Sequence, residues 1–208
     1  MFLAEFITIA VIHFLAVMSP GPDFAMTVKN SLSYGRKAGI YTGIGMGLGI
    51  GVHVLYSLVG IGFIISQSIV LFNVIKFMGA MYLIYIGIHA LQSKPAQVQE
   101  IVSTEEGNMA SCKAMQTGFL TNVLNPKATL FFLGLFTQVI NPETPLFVQA
   151  LYGTEMMVAT ALWFTVVAVF FSHRVLRVKI VSVKHYFERF LGVVLVALGI
   201  KVATSVKE

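Results

Sequence analysis

Met18-Ser19-Pro20-Gly21-Pro22-Asp23 lies inside an apolar segment that runs from Leu3 to about Val28, and its reading decides the fold. Ser or Asn followed by Pro starts helices, because the polar side chain caps free backbone amides and Pro fits the first helical position. The same signature returns at Asn125-Pro126-Lys127, within a second apolar stretch from about Met115 to Ile140. Both segments are predicted to stop and restart at membrane depth, where irregular backbone persists only if it is buried in protein or lines a cavity. Two plainer readings stay open. Pro20-Gly21-Pro22 would end the first helix at the cytosolic face, or Asn125-Pro126 would be a simple proline kink.

Composition supplies the membrane. Apolar residues make up 57% of the 208 and charged residues 11%, against 45–50% and about 25% in ordinary soluble domains. No charge occurs from Ala38 to Ile75. The net charge of +5 therefore belongs to loops, and a bilayer explains it before nucleic acid does. Cys112 is the single cysteine, which excludes a disulfide scaffold and a dithiol redox carrier.

At roughly 20 residues per span, the length fits six transmembrane helices in one all-α membrane domain, with no room for a separate soluble one. The first span runs to about Val28. Leu3–Met18 has no basic residue before it, unlike a secretory signal, and is read as retained. Ser66-Gln67-Ser68 divides the charge-free run into a second span near Gly39–Ile65 and a third near Ile69–Leu91. A polar loop at about 92–113, carrying Glu100, Glu105 and Glu106, leads to the fourth span near Met115–Ile140. Asn141-Pro142-Glu143-Thr144-Pro145 is a tight turn, the fifth span is Leu146–Ser172, and the sixth is near Tyr186–Ala203.

Basic residues fall in alternate loops: Lys29, Arg36 and Lys37; then Lys94 and Lys113; then Arg174, Arg177, Lys179 and Lys184. By the positive-inside rule both termini face outward, which for a bacterial inner membrane means the periplasm. Lys76-Phe77-Met78-Gly79 with Gly87 is similar to Arg189-Phe190-Leu191-Gly192 with Gly199, and Tyr41-Thr42-Gly43 to Tyr152-Gly153-Thr154. Ser19-Pro20 and Asn125-Pro126 match in the same order. The expectation is two three-helix repeats, about 1–91 and 114–208; three being odd, the second is inserted upside down.

Ionisable groups inside spans are expensive and mark function by default. Asp23, Lys127 and Glu155 qualify, and two anions with one cation are the complement of a zwitterion. Lys127 and the helix starts capped by Ser19, with Pro20 and Gly21 following it, and by Asn125 would hold a carboxylate. Asp23 or Glu155 would take an ammonium, or a proton in its place. Asn122 and Thr121 are further candidates to line the path. The plainer alternatives are a structural Asp23–Lys127 ion pair and a neutral Glu155 bonded to backbone.

His13, His53 and His89 are isolated and are read as structural, with His53 near the middle of its span. No nucleophile motif, metal-ligand cluster or cofactor fingerprint stands out, which points away from an enzyme. Gly39, Gly43, Gly47 and Gly51, with Gly45 and Gly49 between them, clear one side of the second span for packing against a broken helix or for a homo-oligomer seam. Trp163, Phe131 and Phe132 are read as packing or lipid-facing.

Taken together, Met18-Ser19-Pro20-Gly21-Pro22-Asp23, the glycine-rich second span, Gly118-Phe119-Leu120-Thr121-Asn122 leading to Asn125-Pro126-Lys127-Ala128, and Glu155 ahead of Leu162-Trp163-Phe164 resemble the LysE/RhtB family of bacterial amino-acid exporters. The resemblance covers essentially the whole chain and is nearer the threonine, homoserine and neutral amino-acid branch. It implies an inner-membrane carrier, without cofactors, that extrudes surplus amino acids using the proton motive force. The residues alone lead to a small secondary transporter with an anion-attracting centre. Export of a metal cation or other small ion is the alternative, against which Lys127 speaks.

Overall fold

A computed structural model describes residues 2–19, 21–67, 108–141 and 143–172, with scattered positions between 74 and 92 and between 186 and 204. Its continuous helices are α1 (Phe2–Met18), α2 (Pro22–Ser33), α3 (Gly35–Gln67), α4 (Ser111–Val123), α5 (Pro126–Val139) and α6 (Leu146–Phe171). No strand occurs among the described residues. Gly35–Val59 of α3 and all of α6 are long and apolar enough to cross a bilayer. Each bent pair, α1 with α2 and α4 with α5, is long and apolar enough to make a further span when its two helices are taken together.

The two expected breaks are present and nearly equal: the axes turn by 56° between α1 and α2 and by 58° between α4 and α5. The second break follows its sequence signature. Asn125 is the N-cap of α5, its side chain accepts from Lys127 N at 3.0 Å, and Pro126 opens the helix. The first break departs from expectation, because Ser19 does not cap α2. Its N-cap is Gly21, in extended backbone with no side-chain cap, and Pro22 rather than Pro20 takes the opening position. Two prolines in a row of three positions offered two registers, and the helix starts at the later one. Pro20 itself lies outside the described residues.

α2 turns directly into α3 through Gly35, whose φ of 83° is a left-handed conformation that glycine adopts without strain. α3 starts one turn earlier than the sequence pattern suggests and runs on through Ser66-Gln67, which was expected to end it. The turn after α5 is as read, with Thr144 N bonded to the Asn141 carbonyl at 2.8 Å. At this rim Glu5 of α1 accepts from Thr144 Oγ1 at 2.9 Å, Asn141 N at 3.3 Å and the Tyr152 hydroxyl at 3.3 Å.

α3 is the hub. A Cβ placed on Gly43 would lie 2.9 Å from Phe164 Cβ, and one on Gly47 would lie 2.7 Å from the Met157 carbonyl, both on α6. A Cβ on Gly45 would overlap the Met115 carbonyl, and one on Gly49 would lie 2.6 Å from Asn122 Oδ1, both on α4. The glycines thus clear two sides of α3 rather than one, and both partners belong to the same chain. α3 runs parallel to α4, since Gly45 meets Met115 and His53 meets Asn122. It runs antiparallel to α6, where Gly39 meets Ala168 and Val54 meets Gly153. α1 runs parallel to α6, pairing Phe6 with Tyr152 and Phe14 with Trp163, and antiparallel to α5.

The expected third and sixth spans fall largely outside the described residues, as do most of the polar loop and the basic loop. The positions that are described there are helical, and the matched glycine blocks face each other. A Cβ on Gly192 would lie 2.6 Å from the Gly87 carbonyl, and one on Gly199 would lie 2.8 Å from the Ala80 carbonyl.

Gly118 of α4 abuts the Thr42 carbonyl of α3, a backbone atom that cannot rotate aside. Gly118→Ala is expected to destabilise the detergent-solubilised protein by about 2 kcal/mol, as overpacking does. Leu120→Ala on the exposed side of the same helix is expected to melt close to the parent. Thermal unfolding of the two variants checks this.

Candidate functional site

The two broken spans cross antiparallel, so their breaks meet. Asp23, in the first turn of α2, reaches the gap between α4 and α5. Its Oδ2 accepts from Asn122 Nδ2 at 2.8 Å and its Oδ1 from Asn125 Nδ2 at 3.1 Å. In return Lys127, in the first turn of α5, donates its ammonium to the Ser19 carbonyl at 3.1 Å. That carbonyl follows the last turn of α1, where a cation meets the negative end of a helix dipole. Each break therefore receives a charged side chain from the other span.

Asn125 does two jobs with one amide. Its oxygen caps α5 and its nitrogen holds Asp23, so the local fold and the site share a side chain. Asn122 also works twice. Its carbonyl, released by the break, accepts from Asn125 N at 2.9 Å and from His53 Nε2 at 3.0 Å, which fills both lone pairs. Gly49 leaves the room in which the Asn122 side chain sits.

Between the spans lies a cavity of about 50 Å³. Asp23, Asn122, Asn125, Lys127, Ser19 and Gly21 form its polar side. Phe131, Phe132, Phe164, Ile50, His13 and Thr160 are among the other lining residues. Of the nine candidates read from sequence, six line this cavity, and Pro20 lies outside the described residues. Glu155 is not brought there. It sits on α6 away from the cavity lining, and its Oε2 is buried without a hydrogen-bond partner. Thr121 bonds back to the Thr117 carbonyl of its own helix at 2.7 Å.

The lining residues that sequence reading assigned to packing are Phe131, Phe132 and His13. Position relative to the break was the available signal for Phe131, which follows Lys127 by four residues on the same helix face. His13 bonds the Thr160 hydroxyl at 3.2 Å and packs against Phe132, with ring centroids 5.9 Å apart. Trp163 packs edge-on against Phe14.

A helical membrane protein whose interrupted spans converge on a small cavity with both charges present has the build of a compact multi-pass transporter. Comparison with known proteins makes this specific. The chain belongs to the LysE type translocator family, which matches residues 14–206, and it is a transporter rather than an enzyme. It is similar to the uncharacterized membrane protein YrhP of Bacillus subtilis (strain 168), 30% identical over 92% of this chain and 94% of the relative. It is also similar to the threonine efflux protein of Escherichia coli (strain K12), 29% identical over 96% of this chain and 98% of the relative. The threonine efflux protein of Salmonella typhi is 28% identical over the same shares. No solved structure matches.

The double role of Asn125 can be split. Asn125→Ser keeps a good N-cap but is too short to hold Asp23, whereas Asn125→Ala loses both. The Ala variant is expected to be about 1 kcal/mol less stable than the Ser variant, the usual worth of a cap. Both are expected to lose substrate transport in vesicles, and a fully active Ser variant would separate Asp23 anchoring from function.

Proposed function

We propose that this protein exports small or neutral amino acids from the bacterial cytoplasm by proton-coupled antiport. What carries the reading is the convergence of Asp23, its two asparagine donors, Lys127 and the start of α2 on one cavity. A free amino acid is a zwitterion, and this site offers a partner for each end. The ammonium replaces the asparagine amides on Asp23. The carboxylate lies against Lys127 and the opening turn of α2, which no side chain caps. Ser19, Pro20, Gly21, Asn122 and Asn125 frame it, and Glu155 remains a second candidate for the proton. The cavity holds about three to five waters, a volume suited to a small substrate, and the named threonine efflux relatives agree with that size.

The cycle is alternating access by two inverted three-span halves in an inner membrane, with both termini periplasmic. Helix direction supports this. α3 and α4 run the same way, and α1 opposes α5 as inverted copies must. The basic loops set the cytosolic face. A metal cation or other small ion as cargo is the alternative, and a lysine beside the carboxylate disfavours it.

Two experiments test this. In loaded vesicles, Asp23→Asn and Lys127→Ala are expected to reduce labelled amino-acid efflux at least tenfold while the proteins stay folded. Glu155→Gln is expected to lose pH-gradient drive if Glu155 carries a proton. Full efflux by all three would remove these charges from the mechanism. Cys112 is exposed at the start of α4, so a membrane-impermeant maleimide is expected to label it in inverted vesicles and not in intact spheroplasts. The opposite pattern would reverse the orientation.

A further inference from the structure

We propose that His53, in place of Asp23 or Glu155, carries the exchanged proton, in competition with the substrate ammonium for the charge of Asp23. The inference rests on the antiport reading above and adds a residue to it.

His53 is fully buried on α3; one ring nitrogen meets the α4 side of the break directly, and the other reaches the α5 side through Tyr56. Nε2 lies 3.0 Å from the Asn122 carbonyl in the last turn of α4. Nδ1 lies 2.7 Å from the Tyr56 hydroxyl, whose oxygen is 3.4 Å from the Thr129 carbonyl in the first turn of α5. A carbonyl only accepts, so Nε2 carries hydrogen in every state. The state of Nδ1 then distinguishes two complete arrangements. In the neutral ring Nδ1 accepts the Tyr56 hydroxyl. When Nδ1 binds a proton it donates to the Tyr56 oxygen, and the hydroxyl hydrogen turns to the Thr129 carbonyl. Both states are hydrogen-bonded after a rotation of one O–H and a slight closing of one contact. His13 shows the contrast. It is equally buried, bonds Thr160 through Nε2, and its Nδ1 has no partner.

The charge of the ring is connected to the substrate site. Asn122 takes the His53 hydrogen on its carbonyl and gives its side-chain amide to Asp23 Oδ2. The titratable groups that act on His53 are Asp23 from α2 and Tyr56 from α3 itself, and Lys127 of α5 shares the cavity with Asp23. α4 carries Cys112 and Lys113 at its far end. The titratable groups of α6 take no part in this network: Tyr152 bonds the Phe2 carbonyl and Glu5, and Glu155 Oε2 bonds nothing. Asp23 thus offers one negative charge to two incoming cations, the imidazolium and the ammonium, in a setting of low dielectric. Binding of either disfavours the other, which is the requirement for exchange. Loading forms an N–H bond at Nδ1 as the Tyr56 O–H bond breaks, and a proton from solution re-forms that O–H bond; unloading breaks the N–H bond. The proton reaches Nδ1 from the outer solution through the half-buried Tyr56 hydroxyl and leaves to the cytosol when the halves have rocked.

His53→Gln preserves a donor for the Asn122 carbonyl and an acceptor for Tyr56, and it does not titrate. The full-length protein is reconstituted, and labelled threonine is followed in two assays: counterflow at equal pH, and accumulation driven by a pH gradient. H53Q is expected to retain counterflow within a few fold and to lose gradient-driven accumulation at least tenfold. Its counterflow is expected to be flat with pH where the parent falls as protons compete. Tyr56→Phe, which removes the hydroxyl that serves both states, is expected to move that fall by about half a pH unit or more. H53Q that accumulates threonine like the parent overturns the proposal. If H53Q fails in both assays, the Tyr56→Phe profile decides: shifted supports His53, unshifted overturns it. A parent that exchanges threonine without responding to the gradient overturns the antiport reading, and His53 with it.

Discussion

The reciprocal gift of charge between two broken helices is the constraint on which the rest of this structure depends. A helix interrupted inside a bilayer leaves backbone groups that lipid cannot satisfy. Here the deficit of each span is met by the other: Lys127 goes to the Ser19 carbonyl of the first, and Asp23 to the asparagines at the break of the fourth. Neither break is stable alone, so the spans must cross antiparallel with their gaps in register. The cavity is a consequence, because two bent rods touching at their bends leave space beside the contact.

α3 makes the crossing possible without contributing charge to it. Its glycines bring α4 and α6 to backbone distance on two sides, and at Gly49 the missing side chain becomes the seat of Asn122. Close packing of small residues replaces the hydrophobic drive that lipid removes. Here it does a second task, fixing a polar side chain that would otherwise have rotamers to choose from. The same helix carries His53, so one element sets the distance between the halves, holds the site asparagine and contacts both sides of a break.

Much of this was legible in the sequence, and the misses have physical causes. Asn125-Pro126 read correctly because one asparagine and one proline allow a single helix start. Ser19-Pro20-Gly21-Pro22 held two, and only tertiary contacts choose between them. The clearing of helix faces by glycine was visible, but a four-residue period with interleaved glycines does not tell one cleared side from two. Lys127 was assigned to a substrate carboxylate from charge alone; that its ammonium also meets the carbonyl after α1 depends on a contact 108 residues away in sequence. Phe131 and Phe132 looked like ordinary apolar positions because composition cannot separate a cavity wall from a core. Glu155 stood out as an intramembrane acid, yet helix rotation places it off the cavity.

Glu5 sits at the opposite end of α1 from all this, with one carboxylate gathering a backbone amide, a threonine and a tyrosine from the turn and helix that follow α5. Thr144 and Tyr152 are buried in this rim, and Glu5 and Asn141 are half-buried. If the rim parts, each bond broken is replaced by one to water, so the net cost per bond is about 1 kcal/mol or less. The clasp therefore works as a thermodynamically light fastener: its directional contacts select one arrangement of the rim while costing little to undo.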